Sequence, residues 1–421
     1  MQIFLVFLGF LRYNENMVKT YKIRTLSPYI SRISEKFKVL LINGPRQIGK
    51  TTLLKTSSDS KRKYVSLDNP QDLLKAKTDP KGFLDIYSPP CVIDEIQYAP
   101  ELFPYIKMIA DNTEKRSLYW LTGSQQFNLM QGVTESLAGR VVIIDMLGFS
   151  IYEREGIGDK QKPFLPSPEP ACALKRRNTA DTFKIIWQGA FPEVIKADEE
   201  HREAFYDSYI RTYLERDVRQ IINIGNEVKF LTFLKVAAAR TGQELNLANI
   251  AGDVGIDPRT ADKWLSVLKA SGIVYLLQPY FKNITKRLVK HPKLYFMDTG
   301  LAAYLAGWTA PKALETGISS GAFFETFVIT EILKSHYHNG KNSHFYFYRD
   351  SDKNEIDLLI FQDGKYHPIE IKKHGTPDSN DIKAFNVFAK KESVGFGCEI
   401  CLVPDLQPLS SDVLAMSVWD I

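Results

Sequence analysis

The sequence predicts an α/β protein built on a mostly parallel sheet, and three largely apolar segments support this prediction. Residues 39–42, 91–93 and 118–122 form short apolar runs, each followed closely by glycine or by acidic residues. Such runs are typical of parallel strands, which are buried on both faces. Since segments with helical patterns separate them, residues 17–155 are expected to form one domain with helices on both faces of the sheet.

The first apolar segment runs into a glycine-rich loop. The loop matches G-x-x-x-x-G-K-[ST], and with the residue that follows it consists of Gly44, Pro45, Arg46, Gln47, Ile48, Gly49, Lys50, Thr51 and Thr52. Such a loop, followed by a helix, points backbone N–H groups at phosphate oxygens. Lys50 would reach the β and γ phosphates, and Thr51 would hold Mg²⁺. We therefore expect this loop to bind ATP with Mg²⁺; the alternative is a glycine-rich turn before a buried helix.

The other two segments deliver polar groups to the same edge of the predicted sheet. Asp94 and Glu95 follow residues 91–93, and Ser124 and Gln125 follow the third segment. The carboxyl ends of parallel strands meet at one edge, so these groups are expected near the glycine-rich loop. Asp94 would join the Mg²⁺ shell, Glu95 would polarise the attacking water, and Ser124 or Gln125 would sense the γ-phosphate. The alternative is a strand that simply reaches the surface at this point.

Length and composition set broad limits. A chain of 421 residues is longer than the chains that usually fold around a single hydrophobic core, so two to four domains are expected. A net charge of +5 is too small to indicate nucleic-acid binding by itself. Four scattered cysteines favour a reducing compartment, and hence a cytoplasmic location. Cys398 and Cys401 lie in a predicted strand, where positions three apart point to opposite faces, which disfavours a shared metal.

The N-terminal segment is apolar but short. Residues 1–11 are far shorter than a membrane span and lack the basic start and cleavage site of a signal peptide, so no membrane association is expected. We expect translation to begin at Met17, with residues 1–16 a non-structural extension. The intact mass of the natively expressed protein tests this, and a chain that begins at Met1 would contradict it.

Four further regions are expected after the first domain. Residues 156–179, which are rich in proline and basic residues, are predicted to be a loop. Residues 180–225 are predicted to form a small helical lid, 226–308 a winged helix, and 309–421 a separate α/β domain.

The winged-helix prediction depends on the order of elements. A short amphipathic helix at 246–254 is followed by a helix with Asp257 as its cap and Pro258 at its first position. A strand at 273–278 and the segment 281–293, which holds five Lys or Arg and no acid, would form a basic wing.

Binding to double-stranded DNA is one use of this module. It would place Arg259 and Lys263 in a groove and Lys286, Arg287 and Lys290 on phosphates. The alternative is a winged helix that contacts protein or acts as a rigid spacer.

A predicted hairpin gathers acidic residues near the C-terminus. Asp363-Gly364 between two alternating segments is a strong signal for a two-residue loop. Counting outward from this loop places Asp357 opposite Glu370 and Glu355 opposite Lys372, with facing Cβ atoms about 4.5–5.5 Å apart.

These carboxylates predict a divalent-metal site. Asp357 and Glu370 would repel each other unless a cation lay between them, and Lys372 projects from the same face as Glu370. A helix over residues 322–333 would supply Glu325 as a further acid. Mg²⁺ or Mn²⁺ there would activate water, with the lysine assisting, as in a nuclease. The alternatives are a cross-strand ion pair between Glu355 and Lys372, or a metal site that has lost its chemistry.

Motifs along nearly the whole chain from residue 17 resemble those of prokaryotic AAA-type ATPases that carry a C-terminal domain of unknown function. The motifs are Gly44–Thr52, Asp94-Glu-Ile-Gln97, Leu121-Thr-Gly-Ser124, Leu137-Ala-Gly-Arg140, Gly189-Ala-Phe-Pro192, Asp298-Thr-Gly-Leu301, Glu355-Ile-Asp357 and Ile369-Glu-Ile-Lys372. Ala190 departs from the pattern, which has a second glycine there.

The resemblance implies an AAA-like fold, a winged helix, and a restriction-endonuclease-like end domain whose D…E-x-K signature falls on Asp357, Glu370 and Lys372. It also implies that Arg140 meets a γ-phosphate, in its own subunit or in a neighbouring one. A plain surface or ion-pair arginine is the alternative for Arg140.

Three functions follow as hypotheses. The first is an ATPase whose nucleotide state rearranges the C-terminal half. The second is an ATP-regulated DNA nuclease, and the third is a nucleotide-gated module that binds DNA or protein without cleavage. A homo-oligomer is compatible with all three.

Overall fold

The computed structural model describes residues 21–123, 137–170, 174–213, 227–281 and 291–421. Within these ranges, five strands form a parallel sheet in the order β2-β3-β4-β1-β5. Their bounds are β1 Val39–Asn43, β2 Lys63–Ser66, β3 Cys91–Asp94, β4 Tyr119–Gly123 and β5 Val141–Asp145. The predicted parallel sheet and its three apolar strands are confirmed.

Helices cover both faces of this sheet. They are α1 Leu26–Ser34, α2 Lys50–Ser57, α3 Pro70–Thr78, α4 Pro80–Ile86, α5 Leu102–Asp111 and α6 Ile151–Arg154. Along β1, Leu40 and Ile42 belong to one buried apolar cluster, while Val39 and Leu41 belong to another. This alternation places one core on each face of the sheet, as expected for parallel strands.

A helical region with a small antiparallel sheet follows. Its elements are α7 Thr179–Gln188, α8 Glu199–Tyr213, α9 Glu227–Ala239, β6 Gln243–Glu244, α10 Leu247–Val254, α11 Pro258–Ala270, β7 Val274–Pro279 and β8 Lys293–Phe296. The predicted start signals of the second helix are confirmed: Asp257 accepts a hydrogen bond from N–H of Arg259, and Pro258 is the first residue of α11. The Asn246 side chain likewise accepts a hydrogen bond from N–H of Asn249 at the start of α10. Lys286, Arg287 and Lys290 of the predicted wing lie outside the described residues.

The C-terminal region extends this small sheet. Its elements are α12 Thr299–Leu305, α13 Pro311–Thr316, α14 Ser320–Tyr337, β9 His344–Arg349, β10 Glu355–Gln362, β11 Lys365–Ile371, α15 Lys383–Ala389, β12 Gly397–Cys401, β13 Gln407–Ser410 and β14 Val413–Ser417. In the described chain these strands form one nine-stranded sheet in the order β13-β14-β12-β11-β10-β9-β7-β8-β6. β7 and β9 pair in parallel, so the helical region and the end domain share a continuous sheet.

The two halves of the chain are joined by a buried ion cluster. Glu153 at the end of the first domain is fully buried and accepts hydrogen bonds from Nε of Arg24 at 3.0 Å and from N–H of Thr25 at 2.8 Å. Nδ1 of His338, which follows α14, lies 3.3 Å from the same carboxylate. Helix α14 is therefore fixed against the first domain, because an unpaired charge in this position would be costly.

This cluster makes the free energy of unfolding depend on pH. Burial opposes ionisation of Glu153, but the charge of Arg24 and the interaction with His338 outweigh it and lower its pKa from 4.5 to about 2. The cluster therefore contributes stability that is fully present above pH 4.5 and is lost as the pH falls toward 2. Glu153→Gln should lower the free energy of unfolding by about 3–5 kcal/mol at neutral pH. It should also flatten the acid limb of the stability curve, measured by urea denaturation against pH.

The control is Glu155→Gln, since Glu155 pairs with Arg177 at the surface and its side chain is 34% exposed. We expect that change to cost less than about 1 kcal/mol. Equal effects of the two substitutions would contradict a role for the buried cluster.

The family motifs at Gly189–Pro192 and Asp298–Leu301 contact each other. The carboxylate of Asp298 is buried and accepts hydrogen bonds from N–H of Ala190 at 2.6 Å, from the hydroxyl of Tyr206 at 2.9 Å and from N–H of Leu301 at 2.6 Å. Gly189 has φ of 87°, and a Cβ atom there would lie 2.3 Å from the Tyr206 hydroxyl oxygen. The two motifs thus pack against each other and connect the end of α7 to the start of α12.

In the described part of the chain, no helix is both long and apolar enough to cross a bilayer.

Candidate functional site

The glycine-rich loop has the backbone that its sequence predicts. It connects β1 to α2, and Gly44, Gln47 and Gly49 have positive φ angles of 150°, 60° and 92°. A Cβ atom on Gly44 would lie 2.2 Å from the carbonyl oxygen of Met146, so no larger residue fits there. Nζ of Lys50 donates hydrogen bonds to the carbonyl oxygens of Gly44 at 2.8 Å and Pro45 at 2.7 Å. The lysine ammonium group therefore lies within the curve of the loop.

Asp94 lies beside this loop at the end of β3. Its carboxylate accepts a hydrogen bond from Oγ1 of Thr51 at 2.8 Å and from the hydroxyl of Tyr64 at 2.8 Å. The hydroxyl of Thr122, at the end of the neighbouring β4, donates to the other carboxylate oxygen. The structure thus brings together Thr51 and Asp94, the two residues that the sequence predicts as magnesium ligands.

Glu95 follows directly and has an unusual backbone. Its φ is 57° and its ψ is 44°, in the left-handed region that non-glycine residues rarely adopt. Its N–H group donates to Oγ1 of Thr122 at 3.1 Å, and its carboxylate accepts a hydrogen bond from Nε2 of Gln97. Strain of this kind in a position next to a phosphate-binding loop is typical of functional residues.

A cavity that the sequence patterns did not predict opens next to the loop. It has a volume of about 360 Å³, and Gly49 and Thr52 form the wall on the side of the loop. Tyr21, Phe149 and Pro192 are among the residues that line it elsewhere. These residues come from three distant parts of the chain, so no local pattern marks the cavity. Its lining combines aromatic and apolar groups with basic side chains.

The predicted C-terminal hairpin is confirmed. Asp363 and Gly364 both have positive φ, at 51° and 76°, and Gln362 pairs with Lys365. The ladder continues to Leu358 and Ile369 in the predicted register.

An amino group lies among three of the acidic residues that the sequence analysis singles out. Nζ of Lys293, on β8, lies 3.2 Å from Oε1 of Glu325, 2.7 Å from Oε1 of Glu355 and 3.2 Å from Oδ1 of Asp357. Lys293 is 4% exposed. The sequence predicts a divalent cation between Asp357 and Glu370, whereas the structure places the lysine between Asp357, Glu325 and Glu355. The sequence did not predict this because Lys293 lies 64 residues before Asp357.

The remaining predicted residues of this site form a second pair. Nζ of Lys372 contacts Oε1 of Glu370, so the alternative ion pair between Glu355 and Lys372 is wrong. The second carboxylate oxygen of Glu370 is buried and has no hydrogen-bond partner among the described residues.

Burial and the neighbouring charges together set the pKa values of the groups in this cluster. Burial alone would lower the pKa of Lys293, but Glu325 and the other anionic groups outweigh it, and the pKa lies well above 10.5. Burial and the charge of Asp357 raise the pKa of Glu370 to about 9. Burial also raises the pKa of Glu325 to about 7, although Lys293 acts in the opposite direction.

Three family models match consecutive parts of the chain. Residues 36–155 match an AAA domain, residues 179–312 match the Domain of unknown function DUF8612, and residues 320–421 match the Domain of unknown function DUF4143. The uncharacterized protein Rv2008c of Mycobacterium tuberculosis is 30% identical over 359 residues, which is 84% of this chain and 74% of that protein. The chain belongs to the same family. The uncharacterized protein Mb2031c of Mycobacterium bovis matches to the same extent.

This chain therefore combines an AAA domain with two consecutive domains of unknown function. Among solved structures, the Thermotoga maritima RuvB Holliday junction branch migration motor is 16% identical, with a TM-score of 0.26 over 60% of this chain and 86% of that one. This similarity is too low to add to the assignment.

Arg140 of the AAA domain lies far from the loop of its own chain. It directly precedes β5, whereas the loop follows the opposite, carboxyl end of the parallel strand β1. Five residues of strand separate these two edges of the sheet, which is about 16 Å. The side chain pairs with Asp111 at the surface. The arrangement disagrees with a contact to the γ-phosphate of the same subunit. Ser124 and Gln125 lie outside the described residues.

Proposed function

We propose that this protein hydrolyses ATP with Mg²⁺ at the AAA domain and that its nucleotide state acts on the C-terminal half. The observation that carries the proposal is the direct contact between Thr51 and Asp94 beside the loop that holds Lys50. A hydroxyl and a carboxylate on neighbouring elements are the hard oxygen donors that Mg²⁺ prefers.

The loop residues suit the phosphates of ATP. The positive φ values at Gly44, Gln47 and Gly49 turn backbone groups into a concave nest, and α2 begins directly after it. Lys50 would exchange its carbonyl contacts for phosphate oxygens. Mg²⁺ held by Thr51 and Asp94 would neutralise charge that develops on the phosphate oxygens.

The cavity beside Gly49 suits the nucleoside. A purine ring is flat and apolar on its faces, and Tyr21, Phe149 and Pro192 offer aromatic and apolar surface for it. The cavity adjoins the loop on the side of α2, so a nucleotide would span both.

Glu95 is the proposed residue that orients the attacking water. It lies directly after Asp94 and its carboxylate is held by Gln97. Arg140 would stabilise the transition state only from a neighbouring subunit, because its own loop lies at the opposite edge of the sheet. A homo-oligomer follows from this role.

A contact between the loop and the C-terminal half supports nucleotide control. A Cβ atom on Gly272, just after α11, would lie 3.1 Å from Cγ of Pro45 in the loop. A cavity of about 260 Å³ beside this contact is lined by Pro45, Lys269 and Tyr337, among others. A change in loop position on ATP binding would therefore act directly on the end of α11 and on β7.

The C-terminal half is proposed to bind a partner rather than to cleave one. The order of α9, β6, α10, α11, β7 and β8 suits a winged helix, and Arg259 and Lys263 are exposed on α11. The order of α14, β9, β10, β11, α15 and β12 suits a restriction-endonuclease-like domain. The favoured activity is nucleotide-gated binding, because Lys293 already neutralises Glu325 and Asp357. Double-stranded DNA is the proposed partner, and a protein partner is the alternative.

A plasmid assay separates binding from cleavage. Supercoiled plasmid is incubated with the protein and Mg²⁺ or Mn²⁺, with and without ATP. We expect the plasmid to stay intact and to shift in a gel at low salt, with the shift weakened in Lys286→Ala, Arg287→Ala protein. Cleavage that disappears in Glu370→Ala protein would replace the binding proposal by a nuclease.

Steady-state phosphate release tests the ATPase itself. Lys50→Ala should lower Mg-dependent ATP hydrolysis by roughly 10²-fold or more, since it removes a cation from the transferred phosphate. Lys61→Ala is the matched control, because Lys61 is an exposed lysine outside the site. A wild-type protein that neither binds nor hydrolyses ATP with Mg²⁺ would refute the proposal.

A further inference from the structure

A cluster of three potential metal ligands lies beyond the predicted carboxylate site. Nε2 of His374 lies 3.3 Å from Oδ2 of Asp381 and 3.9 Å from Oε1 of Glu399. One ligand atom from each residue falls within 4.8 Å of the other two. His374 follows β11, Asp381 precedes α15, and Glu399 is central in β12. Three separate elements therefore converge on one point.

Glu399 is the fully buried acid of this cluster. Its residue exposure is 0%, and neither carboxylate oxygen accepts a hydrogen bond from an N–H or O–H group of the described residues. Nδ1 of His374 is likewise buried and has no partner within these ranges. The thiol of Cys401 interacts with this carboxylate, but a thiol is a weak donor and compensates only in part for the hydration that a buried carboxylate has lost.

The neighbouring acids differ from Glu399 in this respect. Glu399 pairs in register with Glu370 on the adjacent strand, so both side chains lie on one face of the sheet. Along this face Lys293 neutralises Asp357, and Lys372 contacts Glu370. Among the described residues, only His374 brings a basic group within 4.0 Å of the Glu399 carboxylate. Lysines therefore pair with the acids at one end of this face, whereas Glu399 at the other end has no lysine within 4.0 Å among the described residues.

We propose that His374, Asp381 and Glu399 bind a first-row transition-metal dication of the Mn²⁺ or Zn²⁺ class. One imidazole nitrogen and two carboxylate oxygens suit these ions better than Mg²⁺, which favours oxygen ligands alone. Metal–ligand bonds of about 2.0–2.2 Å place tetrahedral ligands about 3.3–3.6 Å apart, close to the two separations measured from His374. His374 and Asp381 are half-buried, so water and substrate oxygens could complete the coordination shell.

Mn²⁺ is the probe of choice because buried thiols do not compete for it. Chelator-treated full-length protein is titrated with Mn²⁺ in excess Mg²⁺ without nucleotide, and loss of the free-ion electron paramagnetic resonance signal reports binding. We expect one strongly bound Mn²⁺ per chain, displaced by Zn²⁺. Glu399→Gln and His374→Asn should each weaken binding at least tenfold. His374 is partly exposed, so its replacement should leave the fold intact, and circular dichroism of the variant checks this.

Two matched controls locate the ion. Asp378→Asn changes an exposed acid close to Asp381, and Glu370→Gln changes the predicted site on the adjacent strand. Both should bind Mn²⁺ like the wild type. Loss of binding in Glu370→Gln but not in Glu399→Gln would place the ion at the other site and overturn the proposal. Absence of binding by the wild type would show that the cluster is an ion pair between His374 and its acids.

Discussion

Replacing Glu95 by glutamine is expected to lower the rate of ATP hydrolysis by roughly 10²–10⁴-fold while ATP still binds. Glutamine keeps the size of the side chain and the hydrogen bond to Gln97, but it cannot polarise the attacking water as a carboxylate does. Thr51, Asp94 and the loop remain unchanged, so the affinity for ATP should stay within a few-fold of the wild type. Single-turnover hydrolysis and equilibrium binding of a fluorescent ATP analogue measure the two quantities separately.

The control for this substitution is Glu101→Gln. Glu101 is exposed and lies just before α5, so its replacement leaves the site untouched. A Glu95→Gln protein that hydrolyses ATP at the wild-type rate would mean that another group orients the water. A protein that loses ATP binding as well would mean that Glu95 serves mainly to shape the loop.

Replacing Lys293 by methionine is expected to lower the free energy of unfolding by about 3–5 kcal/mol. Methionine retains most of the volume but leaves Glu325, Glu355 and Asp357 close together without their cation. Millimolar Mg²⁺ or Mn²⁺ should then raise the melting temperature of the variant by more than that of the wild type, because an additional ion can enter where the ammonium group was. Thermal melting with and without each ion measures both effects.

Lys312→Met provides the matched comparison. Lys312 also pairs with a glutamate, Glu315, but its side chain is 74% exposed, so the cost should be less than about 1 kcal/mol. Equal stability of the Lys293→Met protein and the wild type would show that the acids do not depend on the lysine. A stability loss without any response to ions would show that the position accepts only the lysine.

Local patterns predicted much of the fold, because the deciding signals lie close together in the chain. The strand, loop and helix around Lys50 follow from one segment, and the register of Asp357 against its partner strand follows from a two-residue turn. The predicted cap at Asp257 is likewise local, since it accepts a hydrogen bond from a residue two positions away.

What the patterns missed depends on contacts between distant segments. Lys293 reaches the acids because β7 and β9 pair and thereby join two regions into one sheet. The cavity beside the loop combines Tyr21 with Phe149 and Pro192. Arg140 has a sequence context that suits a γ-phosphate contact, but only the direction of β5 reveals which end of the sheet it occupies. Tertiary placement, rather than residue type, decides each of these roles.

Hydrogen exchange tests the central claim, that the nucleotide site acts on the C-terminal half, most directly. Glu95→Gln protein, which should hold ATP without hydrolysing it, is compared with and without Mg-ATP, and Lys50→Ala protein serves as the control. We predict that ATP changes exchange both in the loop and in peptides that cover the end of α11 and β7, next to the contact between Pro45 and Gly272. A change confined to the loop, with α11 and β7 unaffected, would contradict the account.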